Sequence, residues 1–158
     1  MDLYLIRHAE AEPRGPGVSE ESRRLTTKGE KEFREASSAL KDMGVRFDRL
    51  VFSPWLRAAA TANFLAPLVD GESEASLFLA QPPSRDILKL LSGNSVGVVG
   101  HQPWLGELMG WLLFNDSYAG ARFEFDKGGV AILQGSRRPG GMTLRDFLRL
   151  DDLIRMRK

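Results

Sequence analysis

Three short apolar runs, Leu3 to Ile6, Leu50 to Phe52 and Ser95 to Gly100, constrain this chain more than any other feature. Apolar runs of this length, without polar alternation, suit strands buried on both faces. Such strands need helices above and below the sheet, and helix signals do fall between the runs. Thr27-Lys28-Gly29-Glu30 has capping-box form with Thr27 at the cap, and Phe33, Ala36, Leu40 and Met43 mark one face before Gly44 stops the helix. Ser53-Pro54 reads as the cap and first residue of a second helix ending near Pro67. His101-Gln102-Pro103 opens another, whose Leu105, Leu108, Met109, Leu112 and Leu113 recur at helical spacing.

The remaining segments are read the same way. Ala11 to Arg24 is a surface loop, Leu77-Phe78-Leu79 a strand candidate, and Ser84 the cap of a helix through Leu91. Arg122 to Phe125 and Val130 to Leu133 form an antiparallel hairpin across Lys127-Gly128-Gly129. Gly135 to Gly141 is a surface loop, Met142 to Leu148 adds a last strand, and Asp151 to Arg157 a short helix. The expectation is an α/β fold, a three-layer α/β/α sandwich on a mostly parallel mixed sheet, with residues 1–158 as one domain.

Composition narrows the chemistry. The chain has no cysteine, which excludes disulfide frameworks, thiolate metal sites and cysteine nucleophiles. A net charge of +1 provides no global field toward nucleic acid or a membrane surface. The local basic clusters, Arg137-Arg138 and Arg155 with Arg157 and Lys158, read as solvated faces without the aromatic interleaving of a nucleic-acid module. Neither a signal peptide nor a membrane span is visible, so a cytoplasmic protein is expected, with a monomer as the default.

The informative residues sit where the apolar runs stop. Arg7-His8 follows the first, Arg57 lies just past the second, and His101 follows the third. In open α/β sheets ligands collect beyond the carboxyl ends of the strands, and helix N-termini there favour anions. The chain has two histidines in all, and both occupy such ends. Two arginines and two histidines converging on strand ends describe a phosphate pocket.

These segments also resemble the motifs of a known family, the histidine phosphatase superfamily. Leu5-Ile6-Arg7-His8-Ala9-Glu10 is similar to its signature, with Ala9 in place of the usual glycine. Leu25-Thr26-Thr27-Lys28-Gly29 resembles its second motif, Ser53 through Ala62 its third, and Val98-Val99-Gly100-His101-Gln102-Pro103 its last. Phe125 through Leu133 resembles the small SixA-type phosphohistidine phosphatase branch. The resemblance runs over roughly residues 1 to 134. It implies a phosphoglycerate mutase-like fold and a cofactor-free, metal-free phosphatase in which His8 carries the phosphoryl group covalently. Arg7, Arg57 and His101 then bind the phosphoryl oxygens, with His101 cationic beside the dianion.

One departure bears on the substrate. Larger members place a carboxylate between the third and fourth motifs to protonate a leaving alkoxide, whereas Leu77 to Ser84 contains no acid here. Glu72 and Glu74 lie upstream in what reads as an exposed loop. Phosphohistidine needs little acid assistance, so a phosphorylated protein is the expected partner. The alternatives are a phosphatase for small phosphomonoesters or anhydrides, with Glu10, Glu12, Glu72 or Glu74 as acid, and a non-catalytic phosphate-binding protein.

Overall fold

A computed structural model describes residues 1–157, so Lys158 of the terminal basic cluster lies outside the described residues. Six strands form one sheet in the order β3-β2-β4-β1-β5-β6. They are β1 (Asp2–Arg7), β2 (Phe47–Phe52), β3 (Val69–Ala75), β4 (Ser95–Gly100), β5 (Val130–Gly135) and β6 (Met142–Leu148). The first four are parallel, and β5 and β6 run antiparallel at one side, giving the expected mostly parallel mixed sheet.

Alternating side chains divide the core into two layers. Tyr4, Ile6, Leu50, Val99 and Ile132 face α1 (Thr27–Asp42), α2 (Leu56–Leu65) and α5 (Leu150–Arg155). Leu3, Leu5, Val51, Val98 and Leu133 face α3 (Arg85–Leu90) and α4 (Trp104–Phe114). The buried strands are apolar on both faces because each face has its own helix layer. The three-layer α/β/α sandwich follows.

Local expectations shift in four places. The α1 cap is Thr26, whose Oγ1 accepts from Gly29 N at 2.8 Å, and not Thr27. Ser53 and Pro54 stand outside α2, which Trp55 caps; Ser53 Oγ accepts from Trp55 N at 3.2 Å. Ser84 occupies the cap position of α3 without making a side-chain capping bond. Leu77–Ala80 is a 3₁₀ turn, and the strand lies just upstream in the polar segment Val69–Ala75. An edge strand exposed to water carries little apolar pattern, and β3 is pinned instead by Arg46–Asp70 and by Arg49 to Glu72 and Glu74. Glu72 and Glu74 are thus ion-paired strand residues.

The 122–133 hairpin is also corrected. Both edges of β5 are already filled, by β1 and β6. Residues 117–122 form a 3₁₀ turn, and the following segment serves as a wall, with buried Phe125 against Phe147 at 5.0 Å. Its apolar alternation comes from packing, not from ladder formation. No helix among the described residues is long and apolar enough to cross a membrane.

Candidate active site

Strand register assembles the site. β1 and β4 pair in step from Asp2↔Ser95 to Arg7↔Gly100, so His8 and His101 leave neighbouring strands at the same level. His8 N donates to Gly100 O at 3.1 Å, and the two imidazole centroids lie 5.2 Å apart. On the other side Phe52 pairs with Val99, and Ser53 N donates to Val99 O at 3.0 Å, which delivers the start of α2 and Arg57 to the same spot. Gly128 closes the remaining side: its N–H bonds the carbonyls of Arg7 and His8, from a left-handed backbone (φ +80°) that glycine adopts without strain.

His8 is held in one tautomer. Nδ1 donates to Ala9 O at 2.7 Å, leaving Nε2 as the unprotonated nitrogen. Burial lowers its pKa to about 3, against an ordinary value of 6.5, and the nearby His101, Arg57 and Arg7 act in the same direction. The ring is neutral at physiological pH. Arg57 Nε reaches His8 Nε2 at 3.2 Å.

The two arginines are anchored by backbone. Arg7 Nη1 donates to Phe125 O at 2.6 Å, and Arg57 Nη1 to Glu20 O at 2.6 Å. His101 Nε2 shares a 2.7 Å hydrogen bond with Ser53 Oγ. Two nitrogens in this cluster, Arg7 Nε and His101 Nδ1, are buried with no partner. Buried polar atoms are seldom left unpaired, so two orphans beside one histidine mark where a ligand atom belongs. Arg7 also lines a cavity of about 690 Å³ with Gln102, Glu124 and Lys127.

The charge of His101 depends on what is bound beside it. Burial and then the Arg57 and Arg7 charges lower its pKa to about 3, so the surrounding protein alone holds it neutral. Glu20 acts in the opposite sense, and a bound anion would add to it in favouring the cation.

Several contributors were not legible in the sequence. Glu20, on a 3₁₀ turn within the loop ahead of α1, sets its carboxylate 3.3 Å from Arg57 Nη2 and 3.1 Å from Arg23. Its pKa is lowered by Arg23 first, so it is ionised. Thr61 Oγ1 accepts from Ala9 N at 3.0 Å and donates to Arg57 O at 2.7 Å, tying the nucleophile loop to α2. Its position four residues after Arg57, in reach of that carbonyl, was the available signal. Trp55 stacks near both Arg57 (5.0 Å) and His101 (4.7 Å), and Trp104 stands 6.1 Å from His101.

The carboxylates weighed as acids are placed elsewhere. Glu10 accepts from Thr26 Oγ1 at 2.8 Å, while Glu72 and Glu74 sit on Arg49. Glu12 is exposed. Among the described residues no cluster of His, Asp or Glu could hold a metal ion.

Known proteins resemble this chain in sequence and in fold. The model of the histidine phosphatase superfamily (branch 1) matches residues 3–76. An uncharacterized Picosynechococcus protein is 30% identical over 143 residues, 85% of each chain. The phosphohistidine phosphatase SixA of Escherichia coli strain K12 is 29% identical over 118 residues, 69% of this chain and 72% of that one. Among solved structures, a protein histidine phosphatase SixA complexed with tungstate superposes with a TM-score of 0.80 at 24% identity, covering 97% of this chain and 99% of that one, a likeness of fold. Sequence and fold agree that the chain belongs to the histidine phosphatase superfamily and is a phosphatase of its first branch.

Proposed function

We propose that the protein hydrolyses phosphohistidine on a protein substrate, through a covalent phosphoryl intermediate on His8. The observation that carries the covalent route is the Nδ1 bond from His8 to Ala9 O, which presents a neutral Nε2 as nucleophile. Nε2 attacks phosphorus, the P–N bond to the substrate imidazole breaks, and its electron pair returns to that ring, which carries a proton on its other nitrogen and so leaves neutral. Water then forms a new P–O bond, the P–Nε2 bond breaks, and inorganic phosphate leaves with His8 restored. Arg7 and Arg57 bind the equatorial oxygens, where charge resides during in-line transfer. His101 Nδ1 adds a third donor once the dianion favours its protonation.

The substrate choice rests on proton supply. Glu10, Glu72 and Glu74 are engaged away from His8, and Glu20 is ionised between two arginines. None of these four is free to protonate a leaving alkoxide, whereas a departing imidazole needs no donor of comparable strength. The similarity to the E. coli phosphohistidine phosphatase supports the same reading.

The test is a leaving-group series. Phosphohistidine is expected to react well, aryl phosphates moderately and alkyl phosphates poorly, with kcat/KM falling steeply as the leaving group's pKa rises. A quench during turnover is expected to trap an acid-labile, base-stable phosphoenzyme, absent in His8→Ala. Alkyl phosphates ranking with phosphohistidine would replace this reading by a general phosphomonoesterase.

A further inference from the structure

Beside the phosphoryl pocket lies a cavity of about 420 Å³ that the reaction at His8 does not use. Gln102 and Glu124 line both it and the cavity that Arg7 borders, so the two adjoin. Its wall is preformed. Gln102 Nε2 donates to Phe123 O and its Oε1 accepts from Gly106 N, both at 2.9 Å, tying the 117–123 segment to α4. Gly120 meets Gly106 backbone to backbone: a Cβ at Gly120 would fall 1.9 Å from Gly106 O. The volume suits a long side chain with part of its neighbours.

Charge differs sharply across the boundary. Glu107 and Glu124 line this cavity, and among the described residues no Lys, Arg or His does. The adjoining cavity is bordered by Arg7, Lys127 and Arg149. The rim carries Tyr118, 92% exposed, on the same lining. An exposed aromatic beside a pocket is a common anchor for a protein partner.

We propose that this cavity is a second substrate subsite, taking a lysine or arginine that neighbours the phosphorylated histidine in the protein substrate. The proposal rests on the phosphohistidine reading for the identity of its occupant. Glu107 and Glu124 attract the cation while Arg7 and Arg57 take the phosphoryl group. The surface is therefore bipolar, and an acidic neighbour is repelled from the subsite.

The test uses three phosphohistidine peptides alike except for Lys, Ala or Glu at the flanking positions. Each is measured as a substrate and as a competitor of p-nitrophenyl phosphate hydrolysis, with wild type and the Glu107→Gln/Glu124→Gln double variant. Wild type is expected to favour the Lys over the Glu peptide by about five- to tenfold, as for one or two partly exposed ion pairs, with the ratio approaching one in the double variant. A flat or reversed order in wild type, or a ratio that survives in the double variant, overturns the subsite. Peptides that compete in this order without being hydrolysed, while p-nitrophenyl phosphate is turned over, support the subsite and overturn the phosphohistidine reading instead.

Discussion

Arg57 donates to His8 Nε2, to the Glu20 carbonyl and to the Glu20 carboxylate, and each bond has a different consequence. The carbonyl fixes the guanidinium whatever else happens. The bond to Nε2 must give way to a phosphoryl oxygen as the nucleophile reacts. Lysine keeps the charge but cannot reproduce the planar fork, so Arg57→Lys is expected to lower kcat/KM by roughly 10²–10³-fold. Near-wild-type steady-state kinetics in a folded variant would remove Arg57 from the phosphoryl site. The Glu20 carboxylate competes with a phosphoryl dianion for the same Nη2, and its side chain is exposed enough to swing out. Glu20→Gln keeps the backbone anchor and removes the competing charge. Inhibition by inorganic phosphate is then expected to tighten by about three- to tenfold, on the scale of one partly exposed ion pair. Weaker inhibition would show that the carboxylate helps to organise the anion site. Sequence reading placed the four central residues but not Glu20, because a charged turn in a Pro- and Gly-rich loop carries no pattern linking it to a residue 37 positions away.

Among the elements, α1 shows how a motif without catalytic groups supports the site. Thr26 Oγ1 caps the helix through Gly29 N and donates to Glu10, and Thr26 N donates to Glu10 O at 3.0 Å. Gly29 permits this approach, since a Cβ there would fall 2.3 Å from Glu10 O. Thr26→Ala removes the cap and leaves Glu10 without its partner. It is expected to cost about 1 kcal/mol of folding stability, read as a lower urea midpoint with unchanged slope. The parallel strands were legible because burial on two faces writes itself as continuous apolar sequence, and β4 matches its run from Ser95 to Gly100. β3 was not legible, since Asp70, Glu72 and Glu74 on a water-facing edge read as loop. Phe123 and Phe125 misled in the opposite sense, their alternation arising from contacts with Phe147.

At the scale of the whole molecule, the two buried histidines couple the site to folding. Each has a pKa of about 3 in the folded protein against an ordinary 6.5. Below pH 6.5 the unfolded chain takes up protons that the folded protein refuses, so their contribution to stability falls as pH drops toward 3. Urea unfolding at pH 7 and pH 4.5 is expected to show a larger loss for wild type than for a His8→Asn/His101→Asn variant. Equal losses would mean that neither imidazole is held neutral by the fold. The sheet order has a consequence for how the molecule comes into being. β1 lies inside the sheet, between β4 and β5. Synthesis reaches β1 before either neighbour, so both of its hydrogen-bonding edges stay open until residues near 100 and 130 have been made. His8 is therefore made well before the strands and the turn that surround it. A nascent chain stopped short of Gly128 would carry His8 without the turn that closes over it.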